Sequence, residues 1–184
     1  MTFAPLSIVM WKLGLAGTVL AVSTHAYAED LQLVEKPHHV TEARIVIDAT
    51  PDEVYELVTT YHQWRWYFSD IRAVSVEDGD RDHARVRFKS NTLGRTVTVQ
   101  FDNEPGRSIS FRGVEGPPGG RASGEYDLVP IDNGKRTQVT ARLYMDVVGA
   151  PGLFVRDKQI REMRQAKLRA DLNDIAAHFR ARRP

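Results

Sequence analysis

Residues 47–71, IDATPDEVYELVTTYHQWRWYFSDI, carry the strongest local signals in the chain. Thr50 is placed as the N-cap of a helix, Pro51 suits the first helical position, and Glu53 stands where a capping box needs its reciprocal partner. Acidic residues in this first turn also suit the positive end of the helix dipole. We therefore predict a helix from Pro51 to about Thr60.

The second half of the same stretch is rich in aromatic residues and predicts another short helix, from about Gln63 to Phe68. We expect Trp64 and Phe68 to anchor these helices on a sheet. Trp66 and Tyr67 flank that anchor and point elsewhere, and two interpretations stay open for them. They line the entrance of a cavity, or they cover the edge of the core.

Strand-like alternation surrounds this helical stretch. Val40 to Asp48 places Ala43, Ile45 and Ile47 on one face, and from Ile71 to Val147 apolar residues recur at every second position. Turn signals such as Asn133-Gly134 separate the runs. Because the strands follow one another with short links, they predict an antiparallel meander with one apolar face.

A long helix is predicted at the end of the chain, from Leu153 to Arg180, with an apolar stripe at near-helical spacing. Basic residues occupy much of its remaining surface, and either a solvated face or a surface for anionic lipid headgroups fits them. These residues are Arg156, Lys158, Arg161, Arg164, Lys167 and Arg169.

The order of these elements predicts an α+β helix-grip fold. In it, a curved antiparallel sheet of six to seven strands wraps around the long C-terminal helix, with two short helices after the first strand. One helix is too narrow to fill the concave side of such a sheet. We therefore expect an apolar cavity between helix and sheet, a common kind of site for apolar molecules.

Residues 47–71 resemble the opening motif of the START-like superfamily, also called SRPBCC. In that motif a strand and a capped helix lead into a tryptophan- or phenylalanine-rich segment. The resemblance covers about Val40 to Arg180 and is nearest to the polyketide cyclase/dehydrase and lipid-transport group, which includes coenzyme Q-binding START proteins. It implies the helix-grip fold and a hydrophobic ligand. Arg65 and Trp66 stand where the family often has proline.

The predicted pocket residues follow from inward alternation and from position in the fold. Tyr126 is the polar member of the set, and either it hydrogen-bonds a ligand carbonyl or its hydroxyl finds a backbone acceptor in the core. The set consists of Trp66, Tyr67, Phe88, Val99, Phe111, Tyr126, Leu143, Met145, Leu153, Phe154 and Ile160.

Catalysis by the same cavity is the alternative, as in a polyketide cyclase, aromatase or dehydratase. Such an enzyme needs two or more polar groups that converge for proton transfer. Alternation places Tyr126 inward but Arg142 and Tyr144 outward, so the sequence favours binding over catalysis. Other acid–base candidates, should they face the cavity, are Glu42, Arg44 and Arg112.

The glycine- and proline-rich segment Gly113 to Gly124 predicts an irregular connection rather than a regular strand. One interpretation is a long hairpin turn, and the other is a movable lid at the cavity mouth. No phosphate-binding loop is indicated, since the segment lacks Gly-Lys-Ser/Thr and precedes no helix.

No metal site and no cofactor are predicted. The chain has no cysteine, and its histidines lack partners at ligand spacing. No nucleophile motif for a serine triad is present either.

The first residues are interpreted as a cleaved secretory signal, residues 1–28. Lys12 precedes the apolar run Leu13 to Ser23, which leads to Ala26-Tyr27-Ala28. An uncleaved membrane anchor over residues 3–22 is the alternative, although Lys12 is costly there. Residues 29–39 follow as a flexible leader, and residues 40–184 form the ligand-binding domain.

Charge balance excludes a general attraction to nucleic acid. The whole chain has a formal net charge of +1, and Lys12 is the only charged residue before Ala28. The sequence thus predicts an exported, periplasmic or secreted monomer that binds a lipid, sterol or quinone-like molecule. Transient contact with a membrane surface is a further expectation.

Overall fold

The computed structural model describes residues 31–115, 120–147 and 157–182 of the chain. In these ranges, eight strands form one antiparallel sheet, ordered β1-β2-β8-β7-β6-β5-β4-β3. The strands are β1 (Gln32–Lys36), β2 (Val40–Ile47), β3 (Ile71–Gly79), β4 (His83–Ser90), β5 (Arg95–Glu104), β6 (Ser108–Glu115), β7 (Gly120–Ile131) and β8 (Arg136–Val147).

Short helices connect β2 to β3, as predicted. Helix α1 spans Pro51–Thr59, a single 3₁₀ turn spans Tyr61–Gln63, and α2 spans Trp64–Tyr67. The long helix α3, Asp157–Ala181, follows β8 and packs on β2 and β8. This arrangement confirms the predicted helix-grip fold.

The predicted strand count of six to seven was too low, because one more strand forms within the segment interpreted as a flexible leader. Strand β1 pairs with β2 in antiparallel register, from Gln32 opposite Arg44 to Lys36 opposite Val40. Leu33 packs against the core from this edge strand. Four of the five residues of this short edge strand are exposed, so its sequence shows no clear alternation, and its pairing with β2 defines it as a strand.

The predicted capping box at the start of α1 is confirmed. The Thr50 hydroxyl accepts a hydrogen bond from the Glu53 backbone amide at 3.3 Å, and the Glu53 carboxylate accepts one from the Thr50 amide at 2.8 Å. Both bonds satisfy amides that a helix start leaves unpaired. They define where α1 begins after β2.

Trp64 is the centre of an aromatic core beneath α2, as expected. Its indole nitrogen donates to the Val58 carbonyl at 2.7 Å, and Phe88 and Phe101 meet it edge-on with ring centroids 5.6 Å away. Phe68 lies on the same ring at 5.8 Å. These contacts attach the helical connection to the inner face of β4 and β5.

Regular strand structure extends further into the glycine-rich segment than predicted. Strand β6 continues to Glu115 and β7 begins at Gly120, where Gly120 pairs with Val147. The prediction of an irregular segment over Gly113–Gly124 was therefore wrong at both ends. The remaining lid hypothesis falls on residues 116–119, outside the described residues.

The predicted signal, residues 1–28, also lies outside the described residues, and so do Leu153 and Phe154. Within the ranges that are described, no helix combines the length and the apolar character needed to cross a membrane.

Candidate functional site

The inner face of the sheet, which faces α3, receives most of the predicted pocket residues. Six predicted pocket residues are buried and belong to one continuous apolar core. These are Phe88, Val99, Tyr126, Leu143 and Met145 on the sheet, and Ile160 on α3.

Phe111 also lies on the inner face of the sheet, but it differs from those six residues because it remains only partly buried. Its ring lies 5.7 Å from Phe101 and 6.4 Å from Tyr126. Gly124 makes room for it on the neighbouring strand, since a Cβ there would come within 2.4 Å of the Phe111 ring. Val97, on the adjacent strand β5, is also partly accessible. Apolar surface is thus exposed on the helix-facing side of the sheet.

The structure places Trp66 away from that inner surface, whereas Tyr67 is partly buried against the core. Trp66 is 70% exposed, and the Arg65 guanidinium lies 4.1 Å from its ring centroid. Tyr67 meets the His178 ring edge-on at 5.0 Å and donates its hydroxyl to Gln63. Trp66 therefore stands on the protein surface, while Tyr67 packs against the core and joins α2 to α3.

A buried group of polar side chains, which we call the polar cluster, lies between α3 and the sheet. It consists of Asp70, Tyr126, Lys167 and Asp171. The Tyr126 hydroxyl donates to Asp171 Oδ2 at 3.0 Å. The Lys167 ammonium contacts Asp171 Oδ1 and Oδ2 at 2.5 and 2.7 Å and Asp70 Oδ2 at 3.4 Å. The cluster thus joins α3 to β7 and to the start of β3.

Asp70 is held in the cluster by the β4–β5 turn. It accepts hydrogen bonds from the Ser90 hydroxyl at 2.8 Å and from the Thr92 amide at 2.7 Å. Burial alone would raise the pKa of Asp70, but Lys167 and these donors keep it below its usual value. Burial raises the pKa of Asp171 despite Lys167. Ionised, the cluster carries two carboxylates and one ammonium.

Tyr126 points inward as the alternation predicted, but its partner is the carboxylate of Asp171 rather than a backbone carbonyl. Burial and the neighbouring Asp171 charge raise the pKa of Tyr126 well above its usual value, so its hydroxyl remains protonated. Asp171 and Lys167 were missed as site residues because a helix-wide charge pattern assigned them to the surface.

The expectation of a solvated basic face on α3 was wrong for Arg164 as well as for Lys167. Arg164 is 3% exposed, donates to Thr41 Oγ1 at 2.9 Å and pairs with Glu35 Oε2 at 3.0 Å. These partners come from β1 and β2, distant in sequence, and they satisfy the buried guanidinium. Spacing carried a usable signal, since Arg164 lies between Ile160 and Leu168 on the apolar stripe.

Arg142 lies on the outer face of the sheet, as predicted. Its guanidinium contacts Asp127 at 2.6 Å, Glu42 at 3.1 Å and Glu125 at 3.4 Å. Burial would raise the pKa of Glu42, but the bond from Arg142 and the charge of Arg44 lower it. This ion-pair network lies on the face of the sheet opposite to the Tyr126 side chain.

A surface groove of about 690 Å³ lies beside the start of α1 and the β5–β6 turn. Asp52, Glu104, Arg107 and Asp127 contribute to its lining, which is too charged for an apolar ligand. In residues 31–115, 120–147 and 157–182, no three His, Asp or Glu side chains are grouped as a metal site.

The curved sheet, the gripping helix and the partly open apolar inner face define the START-like class of hydrophobic-ligand-binding domains. The sequence from residue 38 to residue 180 matches the family described as polyketide cyclase / dehydrase and lipid transport. The chain belongs to this family.

Solved structures of this fold are similar to the chain. Zhui aromatase/cyclase from Streptomyces sp. R1128 is 25% identical, with 78% of this chain and 94% of that chain covered and a TM-score of 0.64. A START superfamily protein from Mycobacterium smegmatis is 12% identical, with 78% and 98% covered and a TM-score of 0.66. A search of curated proteins gives no match.

Proposed function

We propose that this protein is an exported carrier that holds a hydrophobic small molecule between the curved sheet and α3. Lipids, sterols and quinone-like molecules are the ligand classes. The carrier acts as a monomer, takes its ligand from one apolar environment and protects it from water until release.

Accessible apolar surface on the helix-facing side of the sheet is the observation that carries this proposal. Phe111 and Val97 share that side with the buried Phe101 and Val99, yet both remain partly accessible. A close-packed protein interior leaves few voids larger than a water molecule, so these two side chains mark apolar surface that protein atoms leave partly uncovered. A ligand that covers such surface gains about 25 cal/mol per Å² of apolar area removed from water.

Native mass spectrometry of the purified protein, followed by organic extraction, tests the carrier function. We expect an apolar molecule to accompany the folded chain. Phe111→Asp places a carboxylate on the apolar inner surface, where its desolvation is costly, so we expect at least about tenfold less bound ligand. Val129→Asp is the matched control, because Val129 is 46% exposed and should tolerate the charge.

Two results would contradict the carrier proposal. One is an unmodified chain that is free of any apolar molecule and binds none from added lipid extract. The other is equal ligand retention by the Phe111→Asp and Val129→Asp proteins, since the ligand would then sit elsewhere.

A cyclase, aromatase or dehydratase is the second candidate, and the polar cluster is the observation that favours it. Tyr126, Lys167 and Asp171 are groups of the kind that move protons, and they converge in the interior. The likeness to an aromatase/cyclase fits this candidate. Incubation with an aromatic polyketide separates the two functions, because a carrier returns it unchanged and an enzyme converts many molecules per chain.

Transient contact with a membrane surface is part of the carrier proposal. Trp66 is largely exposed beside the cation of Arg65, a combination suited to the boundary between lipid headgroups and acyl chains. We expect Trp66→Ser to weaken binding to vesicles with anionic lipid about threefold to tenfold in sedimentation assays. Val129→Ser, on another exposed apolar residue, is the control. Equal binding by both variants would contradict this role of Trp66.

A further inference from the structure

The polar cluster directs its donors mainly to its own carboxylates and retains acceptors. Lys167 donates to both oxygens of Asp171 and forms an ion pair with Asp70 at 3.4 Å, and the Tyr126 hydroxyl donates to Asp171. A phenolic oxygen can still accept a hydrogen bond, and so can a carboxylate oxygen with one partner. Asp171 Oδ1 accepts from Lys167 alone among the described residues.

The charge of the cluster also disfavours ligands that present a carboxylate. Two carboxylates, Asp70 and Asp171, face one ammonium, Lys167, in a buried setting. A ligand carboxylate would add a third negative charge where repulsion is poorly screened. A ligand carbonyl or ether oxygen would meet the free acceptors of Tyr126 and Asp171, and its one possible donor, Lys167, is already paired with both carboxylates.

The cluster is also next to the accessible apolar surface. Tyr126 belongs to the cluster through its hydroxyl, and its ring centroid lies 6.4 Å from that of the partly exposed Phe111. The Lys167 side chain retains 15% of its surface exposed. A molecule that covers Phe111 can therefore bring a polar end towards Tyr126 and Asp171.

We propose that the polar cluster selects hydrophobic ligands that present a hydroxyl donor, such as phenols, hydroquinones and sterol alcohols, over ethers, ketones and carboxylates. The inference rests on the proposed carrier function and narrows its ligand class. Among quinone-like molecules, it favours the reduced quinol over the oxidised quinone. The hydroxyl donates to Tyr126 or Asp171, and no bond of the cluster has to break.

Three fluorescent probes with one apolar scaffold test the inference on the unmodified chain. They are hydroxypyrene, methoxypyrene and pyrene carboxylate, titrated separately into the protein. A hydrogen bond to a charged partner predicts that hydroxypyrene binds about tenfold tighter than methoxypyrene. Pyrene carboxylate should bind most weakly.

The outcomes of this titration distinguish the two proposals. If the three probes bind equally, or the ether or the carboxylate binds more tightly, the hydroxyl preference is wrong while the carrier function stands. If none of the probes binds to the folded protein, both proposals are contradicted.

The Asp171→Asn variant tests whether the polar cluster causes the preference for a hydroxyl group. The substitution keeps the shape of the side chain, removes one negative charge and introduces a donor. We expect the preference for hydroxypyrene over methoxypyrene to fall to about twofold or less. Asp174→Asn is the matched control on α3. Asp174 lies outside the cluster, and its carboxylate accepts a hydrogen bond from the Ser69 backbone amide at 2.7 Å. An unchanged preference in the Asp171→Asn protein would show that the cluster does not select the ligand. If this variant does not fold, the titration of the unmodified chain decides the inference.

Discussion

Lys167→Met should lower the free energy of unfolding by about 3–5 kcal/mol near neutral pH. The substitution removes the only cation of the polar cluster as described and leaves the buried carboxylates of Asp70 and Asp171 without it. Each carboxylate then bears the cost of burial without the attraction that offset it. Chemical denaturation of both proteins measures the difference.

The same variant should show a characteristic dependence on pH. In the unmodified chain the pKa of Asp70 is lowered, so its stabilising contribution is present above the unfolded value and is lost as pH falls through the folded value. Without Lys167, burial raises the pKa of both carboxylates, and protonation then relieves the penalty. The stability gap between the two proteins should therefore narrow as pH falls towards about 4.

Lys158→Met is the control for this prediction. Lys158 also lies on α3 and pairs with Glu162 at 3.7 Å, but both side chains are exposed. An exposed pair contributes little, so the change in stability should stay within about 0.5 kcal/mol. Equal effects of the two substitutions would show that burial of the polar cluster is not what stabilises α3.

Trp64→Ala should lower the free energy of unfolding by a similar amount, about 3–5 kcal/mol. The substitution deletes a large ring that contacts Phe68, Phe88 and Phe101 and donates to the Val58 carbonyl. The cavity left by the missing ring cannot collapse easily, because backbone hydrogen bonds between β4 and β5 hold the facing strands in place. Thermal and chemical unfolding measure the loss.

Trp66→Ala is a control from the same short helix. Trp66 is largely exposed, so its removal should change stability by no more than about 0.5 kcal/mol. Comparable losses from both tryptophans would contradict the division of the aromatic segment into a core anchor and a surface residue.

The sequence predicted those features of the fold that depend on neighbouring residues. The capping box of Thr50 and Glu53 is local chemistry, and alternation along β7 placed Tyr126 inward. Helix and strand periodicity was enough to predict the helix-grip fold, because few folds combine an antiparallel meander with one long helix after it.

Features that depend on distant partners could not be predicted in this way. In the sequence, Lys167 and Asp171 resemble an exposed i,i+4 ion pair. The fold buries them by placing Asp70, just before β3, and Tyr126, on β7, beside them. Edge strand β1 was missed for a related reason, since its pairing with β2 decides its structure more than its own composition. Trp66 was ambiguous because a four-residue helix gives little periodicity to orient a side chain.

In the proposed carrier, an apolar ligand lies between α3 and the inner face of the sheet. Intermolecular nuclear Overhauser effects between bound hydroxypyrene and methyl-labelled protein locate that ligand. We expect cross-peaks to the methyl groups of Val97 and Met163, which are partly buried against the core. Cross-peaks confined to the exposed Val34 and Val129 would contradict this location.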